Sequence, residues 1–210
     1  MKIIELFSGT ESFSNVARDL GHEVFTVEKD CLFNPSLCAD ILTDKITFPY
    51  KPDIVWASPP CQGFSVAAIG KNWDKDTGLP KTDSARLGLK LLEKTVEIIK
   101  SLDPKYFFIE NPRGKMRKMD IVQQFQRRTV TYCQYGDTRM KPTDIFHNHD
   151  GWISRPPCKN GAPCHISAPR GSRTGTQGIK GAKDRSRVPY KLCEEILMSC
   201  RKALQGEEGA

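Results

Sequence analysis

Two short motifs carry side chains whose types and placement could do chemistry. SPPCQGFS, residues 58–65, directly follows the apolar run Ile54-Val55-Trp56-Ala57, and the strand ends of open α/β sheets are where ligands and reactive groups gather. Cys61 is therefore poised at a site, its approach stiffened by Pro59 and Pro60, with Gly63 permitting close contact with a partner. ENP, residues 110–112, follows Tyr106-Phe107-Phe108-Ile109 in the same way, so Glu110 emerges at the same edge. A carboxyl partly withdrawn from water there has a raised pKa and can hold or deliver a proton near neutral pH. Alone, either motif has a plainer reading, an inert buried cysteine or a strand-end glutamate bonded to a loop. Together they are more informative than either alone.

The elements that position these groups read as one α/β domain, since short β-rich runs alternate with helical patterns as in a mostly parallel sheet with crossover helices. Residues 2–7 predict a strand. Phe13, Val16, Ala17 and Leu20 give a helical spacing closed by Gly21, and residues 23–27 predict a second strand. The apolar runs at 54–57 and 106–109 are the next two. Between them a helix opens at Asp83 or Ser84, with Leu87, Leu91, Val96, Ile98, Ile99 and Leu102 as its stripe and Pro104 beyond its end. A short helix over 118–127 and strands at 129–133 and 143–146 follow. Residues 151–186 are rich in glycine, proline, serine and basic side chains and have little core of their own. A last helix over 189–204 turns Leu192, Ile196 and Cys200 to one side and should dock back on the sheet. The expected organisation is a catalytic and cofactor-binding domain over 1–147, a loop-rich basic region over 148–186, a returning helix over 187–204 and a tail over 205–210.

The order of motifs resembles the cytosine C5-specific DNA methyltransferase family. ELFSGTESF (5–13) is similar to the family's cofactor loop, Glu28 in TVEKD to its acid on the cofactor ribose, and Asp40-Ile41 to its adenine contact. PPCQGFS is similar to the nucleophile loop, and ENP to the glutamate motif, with Pro112 where valine is usual. QYGDTRMKPTDIF (134–146) resembles the arginine motif, with Arg139 and Lys141 where two arginines usually occur. The likeness runs to about residue 146 and resumes weakly at RVPYKLCEEIL (187–197). Glu11 and Ser12 replace glycines usual in the cofactor loop, and about forty residues stand where the family carries a sizeable target-recognition domain.

The resemblance implies a Rossmann-like sheet with helices on both faces and S-adenosylmethionine as cofactor. The cofactor would be met by Phe7, Ser8, Gly9, Thr10, Glu11, Ser12, Glu28, Lys29, Asp40, Ile41 and Pro60. A Gly9 turn after the first strand and an acid ending the second also suit an adenosyl group on topological grounds, whereas FSGTES lacks the glycine spacing for a pyrophosphate. Cytosine C5 is too weak a nucleophile to take a methyl group directly. The resemblance therefore implies addition of Cys61 to C6, Glu110 at N3, and Arg139, with Lys141, at O2 or a nearby phosphate. DNA is the implied substrate. RNA is the alternative, and a non-catalytic nucleic-acid-binding module on the same fold is a third reading.

Charge supports a polyanionic partner. From Arg155 to Lys191 there are nine Lys or Arg and one acid, Asp184, a net +8 in a chain of net +7. Such a concentrated arm suits phosphates; a solvated loop without a partner is the plainer reading. Arg170, Arg173, Lys180, Lys183 and Arg185, with Gln62 and Ser65 of the nucleophile loop, are the expected nucleic-acid contacts. Cys158, Cys164 and His165 cluster within PPCKNGAPCHISAPRGSRTGTQG, and with Cys133 upstream, or His147 as a substitute, could close a tetrahedral zinc site. Most of the eight cysteines should be thiols or metal ligands, because a chain of 210 residues needs no disulfide framework. No run approaches the roughly 18 apolar residues of a membrane helix, and the amino terminus leads straight into a strand. The expectation is a soluble, intracellular, cytoplasmic enzyme, compact enough for a phage or mobile element.

Overall fold

The computed structural model describes residues 1–167 and 181–207. Seven strands form one sheet in the order β3-β2-β1-β4-β5-β7-β6: β1 (Lys2–Leu6), β2 (Glu23–Glu28), β3 (Leu37–Cys38), β4 (Ile54–Ala57), β5 (Tyr106–Pro112), β6 (Gln126–Thr131) and β7 (Pro142–His147). β1 to β5 run parallel, and β7 alone runs against its neighbours, inserted between β5 and β6. The central strands are mostly apolar because both faces are covered, as parallel sheets require. One face packs beneath α3 (Asp83–Leu102), through Leu91, Leu92, Val96 and Ile99 against Ile4, Val55 and Phe107. The other face packs beneath α1 (Ser12–Asp19) and α6 (Tyr190–Glu207), where Phe13 and Val16 meet Leu192, Ile196 and Trp56. The shorter helices are α2 (Ile69–Asn72), α4 (Asp120–Gln123) and α5 (Ala182–Ser186). The returning helix does dock on the sheet, and the fold is the expected Rossmann-like α/β class with helices on both faces.

Local chemistry explains the main boundaries. α3 begins where the Thr82 hydroxyl accepts the Ala85 N–H, one residue before the position read from sequence. α1 ends at Leu20, and Gly21 follows at φ 78°, a left-handed turn that favours glycine. Leu87 departs from the expected stripe. It is half exposed, because the inward face of α3 in its first turns is Ala85, Gly88 and Leu92, and Gly88 packs against the ring of Phe64. The expected helix over 118–127 shrinks to α4. The following residues instead become the edge strand β6, whose pairing with β7 satisfies the backbone that a helix would otherwise have to satisfy. Two of the expected thiols are also reassigned, for Cys31 and Cys38 are joined as a disulfide across the β2–β3 turn. Among the described residues no helix is long and apolar enough to cross a membrane.

Candidate active site

Three neighbouring strands deliver three functional groups to one edge of the sheet. Cys61 follows β4, Glu110 lies within the last turn of residues of β5, and Lys141 immediately precedes β7. The two sequence motifs are tied directly, since the buried Asn111 amide donates to the Pro59 carbonyl at 2.8 Å. Glu110 is buried, and its Oε1 accepts the Tyr132 hydroxyl at 2.9 Å. Tyr132 was missing from the sequence-derived site. It lies after an edge strand in a 3₁₀ turn, Tyr132–Tyr135, where nothing local marks it as functional.

Burial pushes the Cys61 thiol above its ordinary value, and the nearby Glu110 carboxylate adds to the effect, while Lys141 and Arg185 act the other way. Lys141 is itself lowered by burial, with Glu110 holding it up, Arg139 adding to the fall and Cys61 opposing it. Its ammonium stands 4.5 Å over the Tyr132 ring and donates to the Arg185 carbonyl at 3.1 Å. Its backbone is left-handed, at φ 26°, an uncommon state for a long side chain.

Arg139 takes a different part from the one expected of it. Its guanidinium forks onto Asp137 and also donates to the carbonyls of Asp184, Arg185 and Arg187, with 4 % of the residue exposed. It fastens the end of the basic region to the arginine-motif turn, which leaves Lys141 as the cation beside Cys61 and Glu110. The physical reason is donor count: five N–H groups buried beneath an irregular segment satisfy the carbonyls that this segment cannot bond internally.

The expected cofactor residues surround the ends of β1, β2 and β3. Glu28 accepts the N–H groups of Gly9 (3.0 Å), Lys29 (2.9 Å) and Asp30 (3.1 Å), so its carboxylate draws the loop after β1 against the end of β2. Phe7, Gly9 and Glu11 have φ of 58°, 44° and 52°, three left-handed residues in one turn. The Ser8 hydroxyl is buried without a partner. Ile41 is buried, and Asp40 is ion-paired with Lys29 at 2.7 Å. Pro60 is exposed beside Cys61. The two residues that replace the usual glycines face inward. Glu11 pairs with Arg18 and accepts the Thr26 hydroxyl, while Ser12 shares a 3.1 Å contact with Thr10 and accepts the Val188 N–H at 3.2 Å. They brace the loop. An orphaned hydroxyl, a left-handed glycine turn and a strand-end carboxylate fit an adenosyl-bearing cofactor.

On the nucleic-acid side Gln62 is exposed and Ser65 half-buried in the loop after Cys61. Gly63 serves the chain's own packing instead of an incoming partner: a Cβ there would sit 2.7 Å from the Ser84 carbonyl at the start of α3. Lys183 stands 5.6 Å over the Phe33 ring. Arg170, Arg173 and Lys180 lie outside the described residues. Cys133, Cys158, Cys164 and His165 do come together, each offering one ligand atom and all four atoms within 4.8 Å of one another. His147 is absent from that group. It is buried on β7, stacked on Phe108, and burial lowers it to about 4.

Residues 1–136 match the model of the C-5 cytosine-specific DNA methylase family. A Frog virus 3 protein named "Probable DNA (cytosine-5)-methyltransferase" is 32% identical over 220 residues, covering 95% of this chain and 100% of that protein. The Haemophilus parahaemolyticus type II methyltransferase M1.HphI is 35% identical over 85 residues, 37% of this chain and 20% of that enzyme. Among solved structures, a mutant of Spodoptera frugiperda DNMT2 overlays with a TM-score of 0.49 at 19% identity, covering 80% of this chain. This chain spans 57% of that structure.

Proposed function

The chain belongs to the C-5 cytosine-specific DNA methylase family, and from that membership we propose that it methylates C5 of cytosine in DNA through a covalent bond between Cys61 Sγ and C6 of the base. The observation that carries this reading is the convergence of Cys61, Glu110 and Lys141 at the ends of three adjacent strands. The thiol proton passes to solvent as sulfur attacks C6. Electron density then moves toward N3, where Glu110 holds or delivers a proton, and the ring gains enamine character at C5. The Tyr132 hydroxyl occupies Oε1 of Glu110 and so turns Oε2 toward the base. Lys141 stabilises the anionic sulfur and the charge that develops on the ring.

S-adenosylmethionine, held by Ser8, Gly9, Glu28 and the neighbouring loop residues, supplies the electrophilic methyl group when bound. Once C5 is substituted, loss of its proton and expulsion of Cys61 restore aromaticity. A stacked cytosine cannot present C6 to Cys61, so the base must leave the duplex, at a cost of a few kcal/mol offset by pocket and phosphate contacts.

The decisive experiment is incubation of the chain with labelled S-adenosylmethionine and matched DNA or RNA, followed by nucleoside mass analysis. We expect 5-methylcytosine in DNA, none with Cys61→Ser, and a gel-retarded covalent species with 5-fluorocytosine DNA. Product in RNA alone would move the substrate. Cofactor binding without product in either would leave a nucleic-acid-binding module.

A further inference from the structure

The structure assigns a second centre outside the catalytic edge: Cys133, Cys158, Cys164 and His165 form a Cys₃His site for one zinc ion, which fastens the start of the basic arm to the catalytic domain. Cys133 is buried in the 3₁₀ turn after β6, whereas the other three come from a segment 25 to 32 residues further on. Cys158 Sγ stands 3.2 Å from Cys164 Sγ and 3.6 Å from His165 Nδ1, and Cys164 Sγ stands 3.7 Å from the same nitrogen. Zinc bound tetrahedrally at about 2.3 Å to sulfur and about 2.0 Å to nitrogen sets its ligand atoms roughly 3.5 to 3.8 Å apart. These three groups therefore already stand near coordination spacing, and with Cys133 all four ligand atoms lie within 4.8 Å of one another. No disulfide joins any of them, although the chain does bond Cys31 to Cys38.

The segment carrying three of the ligands has little else to fold around. From residue 153 to 167 no side chain is buried, and Ile153 and Ile166 are 77% and 64% exposed. It is attached by Cys158 N–H to the Thr131 hydroxyl at 2.8 Å, by Ile166 N–H to the Thr138 carbonyl at 2.8 Å, and by Arg155 to Glu195. Arg155 also donates to the Tyr135 hydroxyl and the Gln134 carbonyl, but a handful of hydrogen bonds and one ion pair seldom offset the entropy of ordering fifteen residues, whereas a structural zinc site contributes folding free energy directly. Binding would expel the thiol protons of the three cysteines to solvent, giving three thiolates and a neutral imidazole around one dication. The arm would then have two fixed feet, the metal at one end and the Arg139 and Lys141 contacts to residues 184–187 at the other. Metal binding at this site does not depend on whether the chain methylates anything.

The test is elemental analysis of the intact chain purified from zinc-supplemented cells, with cobalt(II) titration of the reduced, metal-stripped protein. We expect about one zinc per chain and the visible absorption of tetrahedral thiolate-bound cobalt. The exposed Cys164→Ser should remain folded by circular dichroism and lose most of both signals; Cys158→Ser is the second variant should the first aggregate, and the wild-type cobalt titration decides the matter even if both do. His147→Gln should leave the metal content unchanged. A metal-free wild-type chain that also gives no tetrahedral cobalt spectrum overturns the assignment. So does full metal content in both cysteine variants, or isolation of a Cys158–Cys164 disulfide in place of the metal.

Discussion

In the free chain burial, and after it the Glu110 carboxylate, favour the neutral Cys61 thiol over the thiolate, whereas Lys141, a backbone hydrogen bond and Arg185 favour the anion. Alkylation of Cys61 by iodoacetamide should therefore climb with pH beyond the ordinary thiol value of 9.0. Lys141→Gln removes one of the two opposing cations, so the rising limb should move further alkaline; mass spectrometry of the Cys61 peptide checks this without any substrate. A limb displaced to lower pH would mean that Lys141 does not face the sulfur. Tyr132 acts one step back, by fixing Glu110. Losing one buried hydrogen bond to a charged group costs about 1.5–3 kcal/mol, so Tyr132→Phe should lower kcat by about 10- to 150-fold and leave KM nearly unchanged. Combined with Glu110→Gln the loss should be far from additive, because the tyrosine works through the carboxylate. At this scale the placement of Cys61 and Glu110 at one edge of the sheet was legible because one follows and the other ends an apolar run. The partners were not: Tyr132 looks like any aromatic after an edge strand, and whether Arg139 or Lys141 faces the site depends on carbonyls 45 to 48 residues away.

The nucleophile loop is held by side chains at the end of α2 and by close backbone approach from Gly114 and the start of α3, which makes Gly63 and Gly114 structural requirements. Asn72 and Trp73, at the end of α2, donate to the Gly63 carbonyl at 3.2 and 2.7 Å, and the Lys115 N–H donates to the Phe64 carbonyl at 2.8 Å. Gly114 is extended, at φ −169°, so its backbone would accept any residue, yet a Cβ there would lie 2.2 Å from the Phe64 oxygen. Overpacking of this kind costs typically about 1–3 kcal/mol. Gly114→Ala should lower the melting temperature and also reduce kcat, because the loop that carries Cys61 must move to relieve the clash. Thermal unfolding with parallel turnover assays checks both; a destabilised variant of wild-type kcat would uncouple Gly114 from the loop. The five parallel strands and three long helices were visible in hydrophobic spacing, except for the two-residue β3. That strand, the four-residue α2 and the start of β6 were not, since elements so short, or so polar as Gln126-Arg127-Arg128, exist through their partners and leave no period of their own.

Across the whole molecule, charge is divided between a nearly neutral catalytic body and a basic arm whose excess is eight charges in residues 155–191. The described part of that arm is anchored where it leaves and where it returns, at Arg155 on Glu195 and at residues 184–187 on Arg139 and Lys141. Its far end therefore returns beside the catalytic edge, and a duplex gripped by it would have its phosphates next to Cys61 and Glu110. If roughly half of the excess charge meets phosphates on duplex DNA, log affinity should fall against log salt with a slope of about −3 to −4. Fluorescence anisotropy over a salt series measures that slope directly. Phosphate contacts position a protein without reading bases, so Arg170→Gln with Arg173→Gln should flatten the slope by up to about 2 and weaken all sequences alike. An unchanged slope accompanied by an altered sequence preference would mean that the two arginines meet base edges. The residues between Gly171 and Gly178 would then be a target-reading element within the roughly forty residues that separate the arginine motif from the last helix.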